Sequence, residues 1–384
     1  MRFVERLYKE NYLTLHERLV TEKIPCTVVS ASTVSDTKKF IERLRAEGLI
    51  IDRLLLTPPP QENFSVENVI SDVEVSSLKD FPTLNPKPRF IFVDVEIDYK
   101  FAATIGDPSV TILKPPLKLS TTRAAVDACM SNISKLFELY QSFIDDESRK
   151  TLCGYWLSRL TRKFGEIVEA PTPHYVCRGF IPNHGDIVID VGVCDGVTSA
   201  WFAGLGCKVY AFEMDHYNYE LAKTLAQDKN FTLENFGLGS FKHEMRYSHD
   251  ENNIGGSFLN LEGDRATQII TLDSYVIEKG LPRVDFIKLD VEGAEFDVIK
   301  GAATSIARWK PILAVSAYHK LDDFWKLASL IKSICPEYEF ALRHFRTSRE
   351  NELLTFRPEI EQLFVEYDLD DSIISIGECV LFAR

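Results

Sequence analysis

The sequence lacks the features that mark membrane proteins, secreted proteins and proteins that bind duplex nucleic acid. None of its apolar runs approaches the length of a membrane span. The N-terminal stretch M-R-F-V-E-R-L-Y-K-E has no long apolar core, so we expect no secretory signal. Acidic residues outnumber basic ones by 57 to 44, the net charge is −13, and there is no basic stripe. Because duplex binding depends on neutralising phosphates, we expect no nucleic-acid partner.

Two sequence motifs are missing as well. The eight cysteines form no C-x-x-C pair and no spaced quartet, which favours reduced thiols and predicts a cytoplasmic protein. No G-x-G-x-x-G turn occurs, and a dinucleotide pyrophosphate requires that turn in a Rossmann unit. Hydrophobic residues make up 45% of the 384-residue chain, so it can form a large core and more than one domain.

The chain does contain a βαβ unit with a different glycine turn. Residues 185–196 read G-D-I-V-I-D-V-G-V-C-D-G, in which a buried strand ends at Asp190 and the chain turns through Gly192 and Gly196. A helical stretch and a second strand follow, and Glu213 closes that strand. An acidic residue about 20 positions after such a turn is placed to hold two ribose hydroxyls. The pattern therefore predicts a ligand that carries a nucleoside.

The charge beside the turn narrows the choice of ligand. Asp190 and Asp195 would repel a pyrophosphate but suit the cationic amino-acid end of S-adenosylmethionine (SAM). A Cβ at either glycine would keep the backbone away from such a ligand. Around the turn we predict these SAM-binding residues: Asp190, Gly192, Asp195, Gly196, Thr198, Glu213, Met214, Asn235 and Asp290.

Polar side chains also follow two later strands. Residues 284–301 read V-D-F-I-K-L-D-V-E-G-A-E-F-D-V-I-K-G, and residues 310–320 read K-P-I-L-A-V-S-A-Y-H-K. Ligands of open α/β sheets bind where parallel strands end, so we expect these side chains to meet at one edge. The residues delivered there are Asp290, Glu292 and Glu295 after the first strand, Ser316, Tyr318 and His319 after the second, and His344 on a predicted final hairpin over 341–356.

These motifs resemble those of the FkbM-type SAM-dependent methyltransferases over about residues 170 to 356. The matching segments, in the family's order, are D-V-G-V-C-D-G, V-Y-A-F-E, G-G-S, T-L-D-S-Y, D-F-I-K-L-D-V-E-G-A-E, K-P-I-L-A-V-S-A-Y-H-K and L-R-H-F. The resemblance implies a class I SAM-methyltransferase domain, a Rossmann-like α/β fold. It also implies methyl transfer to a hydroxyl oxygen of a sugar, glycan or polyketide-type acceptor.

A hydroxyl acceptor needs a group that removes its proton. We rank His319 first as the base because histidine titrates nearest neutral pH, and we add Asp290 and Glu292 as catalytic residues. Tyr318 and His344 are predicted to contact the acceptor, and the loop Ser248 to Gly263 to line its pocket. No metal is predicted. Mg²⁺ held by Asp290, Glu292 and His319 remains the alternative.

The first 120 residues predict a separate, smaller Rossmann-like α/β domain. Strands are expected over 24–31, 49–56, 90–95 and 110–113, with a helix from Val34 to Glu47 after the first. The turn after the first strand, S-A-S-T-V-S, has no glycine, so we expect this domain to serve packing, dimerisation or docking of the substrate.

A helical connector over 121–170 is predicted to join that domain to the methyltransferase domain, 171–384. Two helices are expected in it, Ala124 to Phe143 and Asp145 to Phe164. Their aromatic residues are read as core: Phe137, Tyr140, Phe143, Tyr155 and Trp156. At the end of the chain, an acidic run over 359–371 is read as a solvated face and Glu378 to Ala383 as an edge strand.

The sequence thus predicts a SAM-dependent O-methyltransferase with a small-molecule or glycan acceptor and a homo-oligomer formed through the N-terminal domain. Two other classes stay open. One is a nicotinamide-dependent oxidoreductase or epimerase acting on a sugar nucleotide, which the missing G-x-G-x-x-G turn disfavours. The other is a SAM-binding subunit without catalytic activity, which the retained acidic and glycine positions disfavour.

Overall fold

The computed structural model describes residues 11–32, 34–56, 72–93, 109–113, 119–161, 168–248, 258–259, 263–345 and 379–384. They divide into two compact units. The first takes in the described residues up to Asn132 and those of Leu152–Val168, and the second takes in Ile133–Thr151 and the described residues from Glu169 onward.

The elements of the first unit follow an α/β pattern. Its helices are α1 (Tyr12–Thr21), α2 (Val34–Ala46), a 3₁₀ helix (Leu78–Thr83) and α3 (Leu119–Ser131). Its strands are β1 (Pro25–Ser30), β2 (Ile50–Leu56), β3 (Glu74–Ser77), β4 (Phe90–Val93) and β5 (Thr111–Leu113).

A parallel sheet with the order β3-β2-β1-β4-β5 forms the first unit. β4 is buried throughout and β1 is buried after its first residue, as expected for strands covered on both faces. The predicted Rossmann-like layer is confirmed. In the glycine-free turn after β1, the Ser30 hydroxyl lies 2.7 Å from Thr37 Oγ1 and accepts the Ser32 amide at 3.2 Å. The polar groups of this turn therefore bond with one another.

The connector differs from the prediction in two respects. The single helix expected from Ala124 to Phe143 is two helices, α3 and α4 (Ile133–Ser142), with Asn132 between them. The Asn132 side chain donates to the Ala128 carbonyl at 2.9 Å and so competes with the backbone for a helical acceptor. Phe137 was expected in the core but is 58% exposed. The next helix, α5 (Asp146–Thr161), begins and ends within three residues of its predicted bounds.

The elements of the second unit alternate between strands and helices. The strands are β6 (Ile187–Val191), β7 (Lys208–Phe212), β8 (Thr232–Glu234), β9 (Gly237–Leu238), β10 (His243–Ser248), β11 (Phe258–Leu259), β12 (Arg265–Ile270), β13 (Phe286–Leu289), β14 (Ile312–Ser316), β15 (Phe340–His344) and β16 (Cys379–Ala383). The helices are α6 (Val197–Gly204), α7 (His216–Lys229), α8 (Leu272–Lys279), α9 (Glu295–Gly301), α10 (Ala303–Trp309) and α11 (Asp323–Ile334).

Seven strands of the second unit form one sheet with the order β15-β16-β14-β13-β6-β7-β8. β16 is antiparallel to both of its neighbours and every other pairing in this sheet is parallel. The prediction that the last strand lies at an edge is wrong. Its five residues C-V-L-F-A are all buried, because β14 and β15 flank it and both of its faces are covered.

β15 pairs with β16. The rest of the hairpin predicted over 341–356 lies outside the described residues. Residues 346–378, which include the acidic run, lie outside the described residues, as do 249–257 and 260–262 of the predicted acceptor loop. A second sheet, with the order β11-β10-β12-β9, flanks the undescribed part of that loop.

The sheet order fixes where a ligand binds. β6 is central, the chain proceeds from it to β7 on one side, and it returns to β13 on the other. Ligands of open α/β sheets bind at such a switch point, beyond the carboxyl ends of the strands. The polar residues predicted to gather there follow β6, β13 and β14. None of the helices in the described ranges is long and apolar enough to span a membrane.

Candidate active site

The turn after β6 contains three residues with positive φ: Gly192 at 78°, Cys194 at 54° and Gly196 at 89°. A Cβ on Gly192 would lie 1.7 Å from the carbonyl oxygen of Asp290, and one on Gly196 would lie 3.1 Å from the Cβ of Ala222. Close approach of a ligand is therefore not the only reason for these glycines. Both are needed by the protein's own packing, and Gly192 lets the turn approach the end of β13.

Asp190 lies behind this turn and not on its open face. The carboxylate has no exposed surface, since Lys288 Nζ lies 3.1 Å from Oδ1 and the Ser199 hydroxyl donates to Oδ2 at 2.6 Å. Lys288 also donates to the Gly192 carbonyl, so one buried ammonium joins the end of β6 to β13. The expectation that Asp190 faces the amino-acid end of a ligand is corrected, because both of its oxygens face groups of the protein.

Glu213, at the end of β7, holds the other side of the turn in place through hydrogen bonds. Its two carboxylate oxygens accept the Cys194 amide at 2.9 Å and the Asp215 amide at 2.8 Å. Burial raises the pKa of Glu213 to about 7, although the two amide hydrogen bonds act against that rise. The Asn235 side chain donates to the Glu213 carbonyl at 2.9 Å, which brings two predicted residues together.

The remaining residues predicted around the turn lie close to it in the chain. Asp195 is half-buried and accepts the amide of Val197, the first residue of α6, at 3.1 Å. Thr198 is buried in the first turn of that helix, and Met214 is half-buried directly after Glu213.

A cluster of charged side chains lies at the ends of β13 and β14. His319 Nδ1 is 2.9 Å from Glu295 Oε1, and its Nε2 is 3.6 Å from Asp290 Oδ1 and 3.5 Å from Glu292 Oε2. The Tyr318 ring lies 4.2 Å from the His319 ring. Asp290, Glu292, Tyr318 and His319, which the sequence predicted separately, are therefore brought together. Below we call Asp290, Glu292, Glu295 and His319 the carboxylate–histidine cluster.

The cluster changes the protonation of His319. Burial by itself would lower the pKa of His319, but Glu295, Asp290 and Glu292 together raise it to about 9. With this pKa the ring is protonated at neutral pH, which disfavours His319, ranked first from the sequence, as the free base. Burial also opposes ionisation of Asp290, but Lys288 and His319 hold the pKa of Asp290 below its usual range. Burial raises the pKa of Glu292, whose side chain is 45% exposed.

Sequence reasoning missed Tyr175. Its hydroxyl donates to Asp290 Oδ2 at 2.6 Å and lies 3.4 Å from Ser316 Oγ, so it joins the ends of β13 and β14. The ring is buried, and Lys288 Nζ lies 5.3 Å from its centroid. Tyr175 precedes Asp290 by 115 residues, and nothing in the local pattern P-T-P-H-Y indicates the contact.

His344 is not shown to join the cluster. It ends β15, which runs parallel to β14 but is separated from it by β16. Two strand spacings are about 9–10 Å, so the backbone of His344 lies at the same edge but well to one side of His319. His344 is buried, and its carbonyl accepts the Ala170 amide at 2.7 Å. Its predicted contact with the acceptor stays a prediction.

The strand order of the second unit and the glycine turn at its switch point define a class I methyltransferase fold. More particularly, residues 190–358 match the family model described as the Methyltransferase FkbM domain. The resemblance inferred from the motifs is confirmed over this segment, as is a methyltransferase domain with SAM as its cofactor.

Comparison with solved structures agrees on the fold. The chain is similar to the methyltransferase FkbM from Methylobacillus flagellatus KT, with a TM-score of 0.63 and 17% identity over 100% of this chain and 98% of that one. A precorrin 8W decarboxylase from Methanobacterium thermoautotrophicum matches at a TM-score of 0.32 and 13% identity, over 56% of this chain and 94% of that one. At that TM-score the likeness has no bearing on function. No curated protein matches the sequence.

Proposed function

We propose that the protein transfers a methyl group from SAM to a hydroxyl oxygen of a sugar, glycan or polyketide-type small molecule. One observation carries this proposal. The carbonyl oxygen of Asp290 lies only 1.7 Å from the position that a Cβ on Gly192 would take, so the cofactor turn and the carboxylate–histidine cluster adjoin each other. A donor lying along the turn and an acceptor held at the cluster would be within reach of an in-line displacement, for which the reacting atoms must be about 3 Å apart.

On the donor side, Glu213 is the proposed ribose ligand. An ionised carboxylate accepts at about four lone-pair sites. The Cys194 and Asp215 amides occupy one site on each oxygen, and the second site on each oxygen is proposed to accept one ribose hydroxyl. Gly192, Gly196 and Thr198 would line the path of SAM along the turn, with Asp190 supporting the turn from behind.

Further contacts of SAM are proposed on either side of this path. Met214 and Asn235 would border the adenosine, next to Glu213. Asp195, whose carboxylate is half-buried, would face the amino-acid end of SAM together with Asp290. The carboxylates of the cluster would attract the sulfonium charge.

On the acceptor side, the new C–O bond forms as the C–S bond breaks, and the acceptor proton passes to the enzyme. A hydroxyl is a weak acid, so a positioned base contributes about 10²–10⁴-fold. Because His319 is already protonated at neutral pH, we assign the proton to Glu292, the exposed carboxylate with a raised pKa. Asp290 would orient the acceptor, and Tyr318 and His344 are proposed to contact its body.

The first experiment establishes the ligand. Isothermal titration of the full-length protein with SAM, S-adenosylhomocysteine, NAD and NADP separates the two SAM-binding classes from the nicotinamide-dependent class, and the turnover experiment below separates the enzyme from a non-catalytic subunit. We expect stoichiometric binding of the first two compounds only. Binding of NAD alone would contradict the proposal.

The second experiment establishes the reaction. Methyl-labelled SAM is incubated with panels of sugars, sugar nucleotides, glycans and polyketide alcohols, and the product is analysed for an O-methyl group. Once an acceptor is found, Glu292→Gln should lower kcat by about 10²-fold or more with unchanged SAM affinity. The control is Glu220→Gln, an exposed carboxylate of α7 that pairs only with Lys223 three residues on among the described residues. A wild-type rate in Glu292→Gln would reassign the base.

For the N-terminal domain, residues 1–120, we propose a role in assembly or acceptor docking and not in binding a second cofactor. Support comes from the hydroxyl groups after β1, which bond with one another where a nucleotide phosphate would need backbone amides. Equilibrium dialysis should give one SAM and no NAD per chain, and light scattering should show a homo-oligomer. A second nucleotide bound per chain would contradict this role.

A further inference from the structure

The imidazole of His319 has two nitrogens in different surroundings. Nδ1 lies 2.9 Å from Glu295 Oε1, and that same oxygen accepts the amides of Val291 at 2.9 Å and Gly293 at 3.3 Å. Glu295 is 1% exposed and is therefore held in place by the turn before α9. A carboxylate bound to one nitrogen of a histidine orients the other nitrogen, as is usual for metal-binding histidines.

The other nitrogen, Nε2, points to two more carboxylates. Neither ring nitrogen has a hydrogen bond of good geometry among the described residues, although the His319 side chain is only 9% exposed; Nδ1 has the close ion-pair contact with Glu295, and Nε2 has no contact that short. Asp290 Oδ1 and Glu292 Oε2 lie 3.6 and 3.5 Å from it, beyond hydrogen-bond distance. A buried nitrogen facing two oxygens across such a gap is placed to share a ligand with them.

We propose that His319 Nε2, Asp290 and Glu292 bind one divalent metal ion, which takes the place of the proton on Nε2, with Glu295 as the carboxylate that orients the histidine. Two ligand atoms about 2.1 Å from a tetrahedral ion lie about 3.4 Å apart, so the observed gaps fit an ion with little movement. Octahedral geometry at the same bond length needs about 3.0 Å, so the gaps to Asp290 and to Glu292 would both have to close by about half an ångström.

The donor set and its charge limit the kind of ion. One imidazole nitrogen with two carboxylates suits Mn²⁺, Fe²⁺ or Zn²⁺ better than Ca²⁺, which prefers oxygen ligands only. Three carboxylates surround one imidazole, so the cluster is negatively charged and a divalent cation would offset most of that charge. The nearby Lys320 ammonium donates to the Gly293 carbonyl.

A metal ion here deepens the proposed function. With three protein ligands, coordination positions would remain open, and an acceptor hydroxyl bound at one of them would be acidified by the ion. Glu292 would then be a ligand, and the ion would replace it as the group that activates the hydroxyl. Its role in catalysis rests on the proposed methyl transfer, but its binding does not. The two can therefore fail separately.

The test measures metal binding without SAM or acceptor. The full-length protein is treated with EDTA, dialysed and titrated with Mn²⁺, and free Mn²⁺ is followed by electron paramagnetic resonance. We expect one Mn²⁺ per chain, displaced by Zn²⁺. Glu292→Gln and His319→Gln should each weaken binding by about tenfold or more. Asp297→Asn, which removes an exposed carboxylate of α9 outside the cluster, should leave binding unchanged.

Each outcome decides between the alternatives. Because Glu292 is half-exposed, Glu292→Gln should fold normally, and its circular dichroism and Tm are compared with those of the wild type. The site is refuted if no stoichiometric Mn²⁺ binds, or if both cluster variants bind it as the wild type does. Methyl transfer that persists in EDTA together with absent Mn²⁺ binding would overturn the metal site and leave the methyltransferase intact. Mn²⁺ binding without SAM binding would support the metal site and overturn the proposed methyl transfer.

Discussion

The raised pKa of Glu213 makes SAM binding dependent on pH. If both carboxylate oxygens accept ribose hydroxyls, the ionised form is the one that binds, because protonation turns one acceptor into a donor. Burial raises the pKa of Glu213 to about 7, so this carboxyl titrates in the neutral range. The backbone amides of Cys194 and Asp215 and the charge of Lys288 lower that pKa, whereas the charge of Asp215 raises it.

The magnitude follows from the ionised fraction. With a pKa of about 7, the carboxyl is about nine-tenths ionised at pH 8 and about one-tenth ionised at pH 6. SAM affinity should therefore fall about tenfold between these values, or about 1.4 kcal/mol. Glu213→Gln cannot ionise, so its affinity should not follow this titration. At pH 8 the variant should bind more weakly by about 2–3 kcal/mol, the range for hydrogen bonds to a charged group.

Calorimetric titration with SAM at half-unit steps of pH measures both proteins. The difference between the two profiles isolates Glu213, because every other titrating group, including the amino group of SAM, is present in both. Glu220→Gln, on the exposed face of α7, should reproduce the wild-type profile. Parallel profiles for Glu213→Gln and the wild type would refute both the ribose contact and the titration on which it depends.

The raised pKa of Glu213 also makes the stability of the fold depend on pH. In the folded protein its pKa is raised from 4.5 to about 7, so the folded state holds the proton over a range in which the unfolded chain has lost it. Wild-type stability relative to Glu213→Gln should therefore fall as pH rises through this window, by about 3 kcal/mol in total. Urea unfolding of both proteins at several pH values measures the difference. An increase with pH would contradict the assigned burial.

Two further substitutions test the architecture of the turn. Gly192→Ala would place a Cβ against the carbonyl of Asp290 and should abolish SAM binding or folding, whereas Gly185→Ala, with positive φ but open space around it, should cost only about 1–2 kcal/mol by urea unfolding. Equal losses of stability in the two variants would show that backbone strain at positive φ, and not the close approach to the Asp290 carbonyl, explains the effect of Gly192→Ala. Lys288→Met leaves the buried Asp190 carboxylate without its cation and should lower the free energy of unfolding by about 3–5 kcal/mol, also measured in urea. A loss in the free energy of unfolding below about 1 kcal/mol would mean that the Lys288–Asp190 pair contributes little to stability.

Much of the fold could be predicted from the sequence because the signals are local. Continuous apolar runs predicted β7 and β13 at their observed bounds, since a buried parallel strand needs apolar residues on both faces. The glycine turn, Glu213 and the polar residues after β13 and β14 follow from the rule that ligands meet the carboxyl ends of such strands. The order of these motifs along the chain also indicated the resemblance to the FkbM domain, and the family comparison confirmed it.

Only the tertiary structure decided which strands are neighbours and which charges are buried together. β16 lies inside the sheet because of pairings with strands far from it in the chain, which no local pattern encodes. Tyr175 reaches Asp290 across 115 positions, and Lys288 turns Asp190 into a support for the turn. The protonation of His319 likewise depends on three carboxylates meeting around one ring, because a pKa responds to distance and burial in space and not to spacing in sequence.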